Sequence, residues 1–308
     1  MKNNFHAPDQ ASGLRALLAR SRARVITVLG ARDGLGATSL VTNLAAIFAR
    51  TGKQVLVLDE NRSPANVAQT LGLRARYDLL QAARGDKTWH EVLLQDDAGV
   101  ALLPLARAME NLPQLAGAER TRLLESLLAA TTGRDVVLVD AARGGASLCA
   151  SLSGAEPLLL VLNPTASGIT ESYALLKQMA LQNGRQAFAI VVNRVGSEHE
   201  ALTVFDNMAR VARHHLQVRL DYLGYIPLDE KMKRATQLHR PVVEVFPASA
   251  ASLALREVAQ GMLHAPAVPG PDGLDGVIGR LMGKRTFGRS DFSPASAPDS
   301  QSGRVSLA

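Results

Sequence analysis

The chain has 308 residues, 47 per cent apolar and 20 per cent charged, which suits one large α/β domain with tails or two small domains and excludes a low-complexity chain. Its single cysteine, Cys149, excludes an internal disulfide and a cysteine metal cluster and fits a reducing compartment; the polar start MKNNFHAPDQ lacks a secretory apolar core, no apolar run reaches membrane-span length, and a cytoplasmic protein is expected. A formal charge of +6 favours an acidic partner surface, anionic lipid or nucleic acid, without choosing between them.

Residues 1 to 23 read as a basic amphipathic leader, with a short helix over Asp9 to Leu18 that Asp9 can cap and that carries Leu14, Leu17 and Leu18 on one side. A frayed terminus with one helical turn is the plainer reading. The run Val25 to Leu29 then predicts a buried strand, Gly30 to Ala37 a glycine loop, and Thr38 onward a helix with an apolar face. Strand, glycine loop and helix together aim backbone N–H groups at whatever sits over the helix N-terminus, where an anion such as phosphate is favoured.

Against the phosphate-loop pattern G-x-x-x-x-G-K-[ST], Gly34, Gly36 and Thr38 fit, Ser39 follows, Ala31 replaces the first glycine, and Ala37 replaces the lysine that would reach the β- and γ-phosphates. The stretch resembles the K-G-G-x-G-K-[ST] form of the MinD and ParA branch of P-loop ATPases, with Arg32 at the extra lysine position and Asp33 on a glycine position. That resemblance implies ATP or ADP with Mg²⁺ as cofactors. A lost lysine and an added carboxylate both oppose phosphate binding, so retention and loss of the nucleotide are both open.

Gln54 to Leu58 is a second predicted strand ending in Asp59, and strand, helix, strand over this span predicts a βαβ unit and a parallel sheet with ligands at its carboxyl edge. The residues that follow, Asp59-Glu60-Asn61-Arg62-Ser63-Pro64-Ala65-Asn66-Val67 with Leu71-Gly72-Leu73 behind them, resemble the D-A-D-x-x-x-A-N-V-x-x-x-L-G-L block of the FlhG (FleN) family of MinD-like regulators of flagellar placement and number. By that resemblance Asp59 is a catalytic and metal residue. Asn61 stands where an aspartate would orient the attacking water, a task an amide cannot perform. The leader run DQASGLR is similar to the D-Q-A-x-x-L-R motif of the same family, which makes Asp9, Gln10, Leu14 and Arg15 the residues expected to insert into, and activate, the GTPase FlhF.

Tyr77 to Leu94 is helical in pattern and holds Trp89, read as a packing residue; Val100 to Leu103 is a strand, and residues 118 to 132 a helix with a leucine stripe. Val136 to Val139 leads into Asp140-Ala141-Ala142-Arg143-Gly144, similar to the D-x-P-A-G switch of the MinD family, where Asp140 would hold a Mg²⁺-bound water and Gly144 would sense a γ-phosphate. The plain alternative is a loop or capping aspartate. With Thr38 and Asp59, Asp140 completes the implied metal set.

Leu158 to Leu162 is a strand, and the block from Asn163 to Lys177, where Thr170 is the expected helix cap, is similar to P-x-P-T-S-x-T-D-A-Y-A-L-x-K of FlhG. Ala187 to Val192 is a strand ending in Asn193-Arg194-Val195, and the MinD likeness makes Asn193 the reader of the adenine edge with Arg194 beside it. His214 and His215 lack ligand-spaced partners and read as a solvated face. Tyr222 to Ile226 is the last strand, and Pro227 opens a loop that flanks the base in the resembling family.

Beyond Ala265 the composition turns to Pro, Gly, Ser and Ala. One island, about residues 273 to 285, sets Leu274, Val277, Ile278, Leu281 and Met282 at helical spacing with Lys284 and Arg285 beside them, suited either to a membrane surface or to packing on the parent domain. The expected organisation is a leader (1–23), a MinD-like domain (24–263) and a tail (264–308), with a doubly wound, mostly parallel α/β sheet flanked by helices on both faces. The resemblance implies an FlhG-like regulator working with an FlhF-type GTPase, flagellar switch-complex components or a flagellar transcription regulator, and the anionic inner membrane, as a homodimer and without direct nucleic-acid contact. An active MinD- or ParA-type ATPase and a nucleotide-free scaffold are the alternatives, and Ala37, Asp33 and Asn61 favour lost turnover.

Overall fold

β-Branched and leucine-rich runs of five to nine residues, each too apolar to face water, build the centre of the molecule. The computed structural model describes residues 23–142 and 158–264. In chain order these form β1 (Arg24–Gly30), α1 (Ala37–Arg50), β2 (Val55–Asp59), a helical turn Val67–Thr70, α2 (Leu79–Arg84), a turn Trp89–Val92, β3 (Leu94–Gln95), β4 (Ala101–Pro104), α3 (Ala106–Asn111), α4 (Gly117–Thr131) and β5 (Val136–Asp140). They continue with β6 (Leu158–Leu162), α5 (Ala166–Asn183), β7 (Ala187–Val195), α6 (Glu198–Leu216), β8 (Arg219–Pro227), α7 (Glu230–Gln237), a turn Val242–Val245 and α8 (Ala250–His264).

The strands join in one sheet of order β3-β4-β2-β5-β1-β6-β7-β8, in which β3 and β4 are antiparallel and every other pair is parallel. Alternation along β1 divides the core. Ile26 and Val28 pack with Leu44 and Phe48 of α1 and with Leu255 and Val258 of α8. On the other face Val25 joins Leu123 and Leu127 of α4, and Leu29 joins Leu176 of α5 and Met208 of α6. This is the doubly wound, mostly parallel sheet with helices on both faces that the sequence implies.

Two elements differ from expectation. The span Tyr77 to Leu94 is not one helix: Asp78 and Thr88 each start a separate helix with a capping box, Gly85 ends the first at φ +87°, and the span closes in the short edge strand β3. Trp89 packs, half-buried, against the core beside α2 and α4. Helix α5 starts one turn before Thr170: Thr165 accepts a bond from the Gly168 N–H at 3.2 Å, while Thr170 donates back to Ala166 C=O at 3.0 Å inside the helix. His214 and His215 are exposed on α6, and among the described residues no cluster of three or more His, Cys, Asp or Glu side chains is placed to hold a metal. No described helix is long and apolar enough to cross a membrane.

Candidate nucleotide site

Because β1 lies between β5 and β6 and chain order reverses around it, the loop after Gly30 opens at the carboxyl edge of the sheet, at its switch point. Gly34 and Gly36 take φ +80° and +104°, which bends the backbone into α1. Gly36 has a second reason to be glycine: a Cβ there would collide with the side-chain amide of Asn193 and force it to shift. Helix α1 has no side-chain cap and no acidic residue in its first turn, so its N-terminal dipole faces the loop. The lysine of the phosphate-loop pattern is missing. Ala37 occupies the lysine position, and Gly30 sits so close that an added Cβ would be 3.3 Å from the Ala37 methyl carbon.

Beside the loop lies an open cavity of about 710 Å³, within the range of small-molecule sites. Arg32, Asp33, Gly34 and Gly36 to Ser39 form one wall; Asn61 to Ser63, Asp140 to Ala142, and Arg194 form much of the rest. The cavity thus gathers Arg32, Gly34, Gly36, Ala37, Thr38, Ser39, Asn61, Asp140 and Arg194 from four separate stretches of sequence.

Three implied site residues fall elsewhere. Asp59 ends β2, but its carboxylate accepts from the N–H of Asn61 at 3.0 Å and of Val67 at 3.0 Å, so both oxygens serve the backbone of the next turn. Asn193 is buried, and its amide donates to Leu35 C=O at 2.8 Å, bracing the loop from below rather than facing the cavity. Pro227 pairs with Val195 at the end of β8 and does not line the cavity. Gly144 lies outside the described residues, as do the leader residues Asp9, Gln10, Leu14 and Arg15 and the tail residues from Leu274 to Arg285.

At the mouth of β5 three side chains interlock. The Thr38 hydroxyl donates to Asp140 Oδ2 at 2.7 Å, and the Asn61 amide nitrogen donates to Thr38 Oγ1 at 2.9 Å and to Asp140 Oδ2 at 3.3 Å. Burial pushes the Asp140 carboxyl above its ordinary value, these bonds pull it back, and the nearby Asp33 pushes it up again. Asp59 is raised too, first by burial and then by the charge of Asp140.

Sequence reading misses three contacts. Arg32 is held by Glu171 of α5 at 2.8 Å, between two half-exposed side chains. Arg62 pairs with Glu110 at 3.0 Å. Glu60, fully buried, accepts from Ala142 N–H at 3.1 Å while its own N–H donates to Asp140 C=O at 3.0 Å, which fastens the segment after β5 to the end of β2. An acid directly after a strand-end aspartate is the only sequence signal for it.

The glycine cradle, the helix N-terminus and the cavity volume fit the phosphates and body of a nucleotide. Thr38 and Asp140 offer the hard oxygen donors that Mg²⁺ takes, and both are committed to each other and to Asn61. A parallel sheet whose first strand turns through glycines into a helix N-terminus, beside two acid-ended strands, defines a nucleotide-binding α/β domain of the P-loop class.

Comparison with known proteins agrees. Residues 26–242 match the CobQ/CobB/MinD/ParA nucleotide binding domain. The antiactivator FleN of Pseudomonas aeruginosa is 33 per cent identical over 84 per cent of this chain and 93 per cent of its own length. The flagellum site-determining protein YlxH of Helicobacter pylori is 24 per cent identical over 78 and 82 per cent. Among solved structures, MinD of Aquifex aeolicus superposes with a TM-score of 0.59 at 24 per cent identity over 79 per cent of this chain and 98 per cent of that one. MinD of Pyrococcus horikoshii, solved with Mg-ADP, gives 0.58 at 21 per cent identity over 78 and 96 per cent. The chain belongs to the CobQ/CobB/MinD/ParA nucleotide-binding family and, within it, to the FlhG/FleN branch.

Proposed function

We propose that this protein regulates flagellar number or placement as an FlhG-like switch, binding ATP or ADP weakly and hydrolysing ATP very slowly. Its likeness to FleN and YlxH supports the flagellar role. The observation that carries the altered chemistry is the loop itself: its backbone keeps the phosphate cradle while Ala37, Asp33 and Asn61 strip it of lysine, glycine and water-orienting carboxylate. Thr38 and Asp140 are the residues that would hold Mg²⁺ beside a nucleotide, where the ion would neutralise phosphate charge. The partners in this reading are an FlhF-type GTPase, reached through Asp9, Gln10, Leu14 and Arg15, and the anionic inner-membrane surface, reached through the tail from Leu274 to Arg285.

A nucleotide-free scaffold is the second reading. Two contacts favour it: the Arg32 to Glu171 ion pair and the Thr38, Asn61 and Asp140 interlock each occupy a group that a phosphate or its metal would use. Titration calorimetry with ATP and Mg²⁺, paired with phosphate release, decides. The proposal expects measurable but weak binding and turnover far below an intact MinD-type ATPase. Ala37→Lys combined with Asp33→Gly is expected to tighten ATP by about tenfold or more, the scale of restoring one charge-assisted phosphate contact. No binding by either form supports the scaffold, and full turnover by the wild type supports an active MinD- or ParA-type ATPase.

A further inference from the structure

The interlock at Asn61 has a definite polarity. Its side-chain oxygen accepts from Ser63 N–H at 2.9 Å, which fixes the amide the one way round and points the nitrogen at Thr38 Oγ1 and Asp140 Oδ2. A positively polarised N–H₂ group therefore sits against the two hard oxygens that the P-loop architecture reserves for a divalent cation. Asp140 is buried, and Asp33 adds negative charge nearby, so this corner of the cavity needs a donor to be stable.

We infer that the Asn61 amide is a built-in surrogate for the divalent cation, making the nucleotide-free site indifferent to Mg²⁺. An aspartate at 61 would keep the Ser63 bond with one oxygen and press the other against Asp140 Oδ2. Two carboxylates at that separation demand a cation or a proton. The asparagine removes that demand. In charge it offsets one of two changes, since the lysine lost at position 37 and the carboxylate gained at Asp33 each make the corner more negative and the asparagine removes one anion, while its amide keeps a donor on Asp140 without a bound metal.

The inference concerns the same site as the proposed function but is tested without nucleotide, so the failure of either leaves the other standing. The probe is Mn²⁺, followed by the loss of its free-ion electron paramagnetic resonance signal on adding the full-length protein at pH 8. Wild type is expected to leave the signal unchanged at 100 µM ion, roughly the weak-binding scale of oxygen sites with few protein ligands. Asn61→Asp is expected to take up about one ion per chain, and Asp140→Asn in that background to abolish the uptake. In thermal melts Asn61→Asp is expected to fall by about 5 °C in chelator and to recover with Mg²⁺, while wild type is unmoved by either. Should Asn61→Asp fail to fold, Asn61→Ala serves: it removes the amide without adding charge and is expected to bind Mn²⁺ more than wild type does. Uptake by wild type equal to the variants, or no gain in either variant, overturns the inference.

Discussion

Asp59 and Asp140 end neighbouring strands in register, each buried, and that juxtaposition gives the site a pH signature. Burial raises both carboxyls, and the charge of Asp140 raises Asp59 further. The folded protein therefore keeps protons on this pair at pH values where the unfolded chain, with carboxyls near 4, has lost them. Folding takes up protons in that window. The stability contributed by the pair is complete below about pH 4 and declines as pH rises through the raised values, by about 1.4 kcal/mol for each unit of displacement. For a domain of this size that is about 3 °C in melting temperature. Melts from pH 5 to 8 should show the decline, and Asp140→Asn, which removes one acid and the repulsion on the other, should flatten it. An equal slope in wild type and variant would place the titration elsewhere.

At the scale of elements, the glycine loop is held by a strut from β7. Asn193 reaches across 158 positions of sequence to the Leu35 carbonyl, beneath a loop whose Gly36 has room for hydrogen alone. Asn193→Ala leaves a buried carbonyl unpaired and is expected to cost about 1–3 kcal/mol in urea denaturation. Gly36→Ala adds both a positive-φ penalty and a collision with that amide, and is expected to cost more than Asn193→Ala. In the Asn193→Ala background the collision is gone, so the second substitution should cost less there, with a coupling of about 0.5–3 kcal/mol. Strict additivity would show that the strut and the loop do not communicate. The same contact marks the limit of sequence reading. Strands announce themselves as apolar runs closed by Asp59, Asp140 or Asn193, and Gly34 and Gly36 announce the loop, because those signals are local. What Asn193 bonds to, that Glu171 holds Arg32, and that Glu60 fastens the segment after β5 depend on which strands become neighbours. Gly85 is also a local signal, and the chain does break there, but the helical apolar spacing on either side of it hides the break in the sequence.

Across the whole molecule, the proposed function gives the two ends of β1 different tasks. The strand delivers its loop to the nucleotide cavity at the carboxyl edge, while Arg24, where the leader joins, sits at the opposite edge, about 20 Å away at 3.3 Å per residue. The leader carries Lys2, Arg15, Arg20 and Arg22 against the single acid Asp9, alongside the D-Q-A-x-x-L-R resemblance. In the proposed reading the leader activates its partner without the cavity, so the two functions should separate. A peptide of residues 1–23 is expected to accelerate GTP hydrolysis by a cognate FlhF-type GTPase by about tenfold or more, equivalent to about 1.4 kcal/mol of barrier. Gln10→Ala should remove most of that effect. A chain starting at Ala23 should lose it wholly while binding ATP as the full chain does, and Ala37→Lys with Asp33→Gly in the full chain should leave it intact. Acceleration that needs the domain, or that follows the loop substitutions, would tie leader and cavity into one device. No acceleration by peptide or full chain would transfer the reading to a positioning or partitioning ATPase of the MinD or ParA kind.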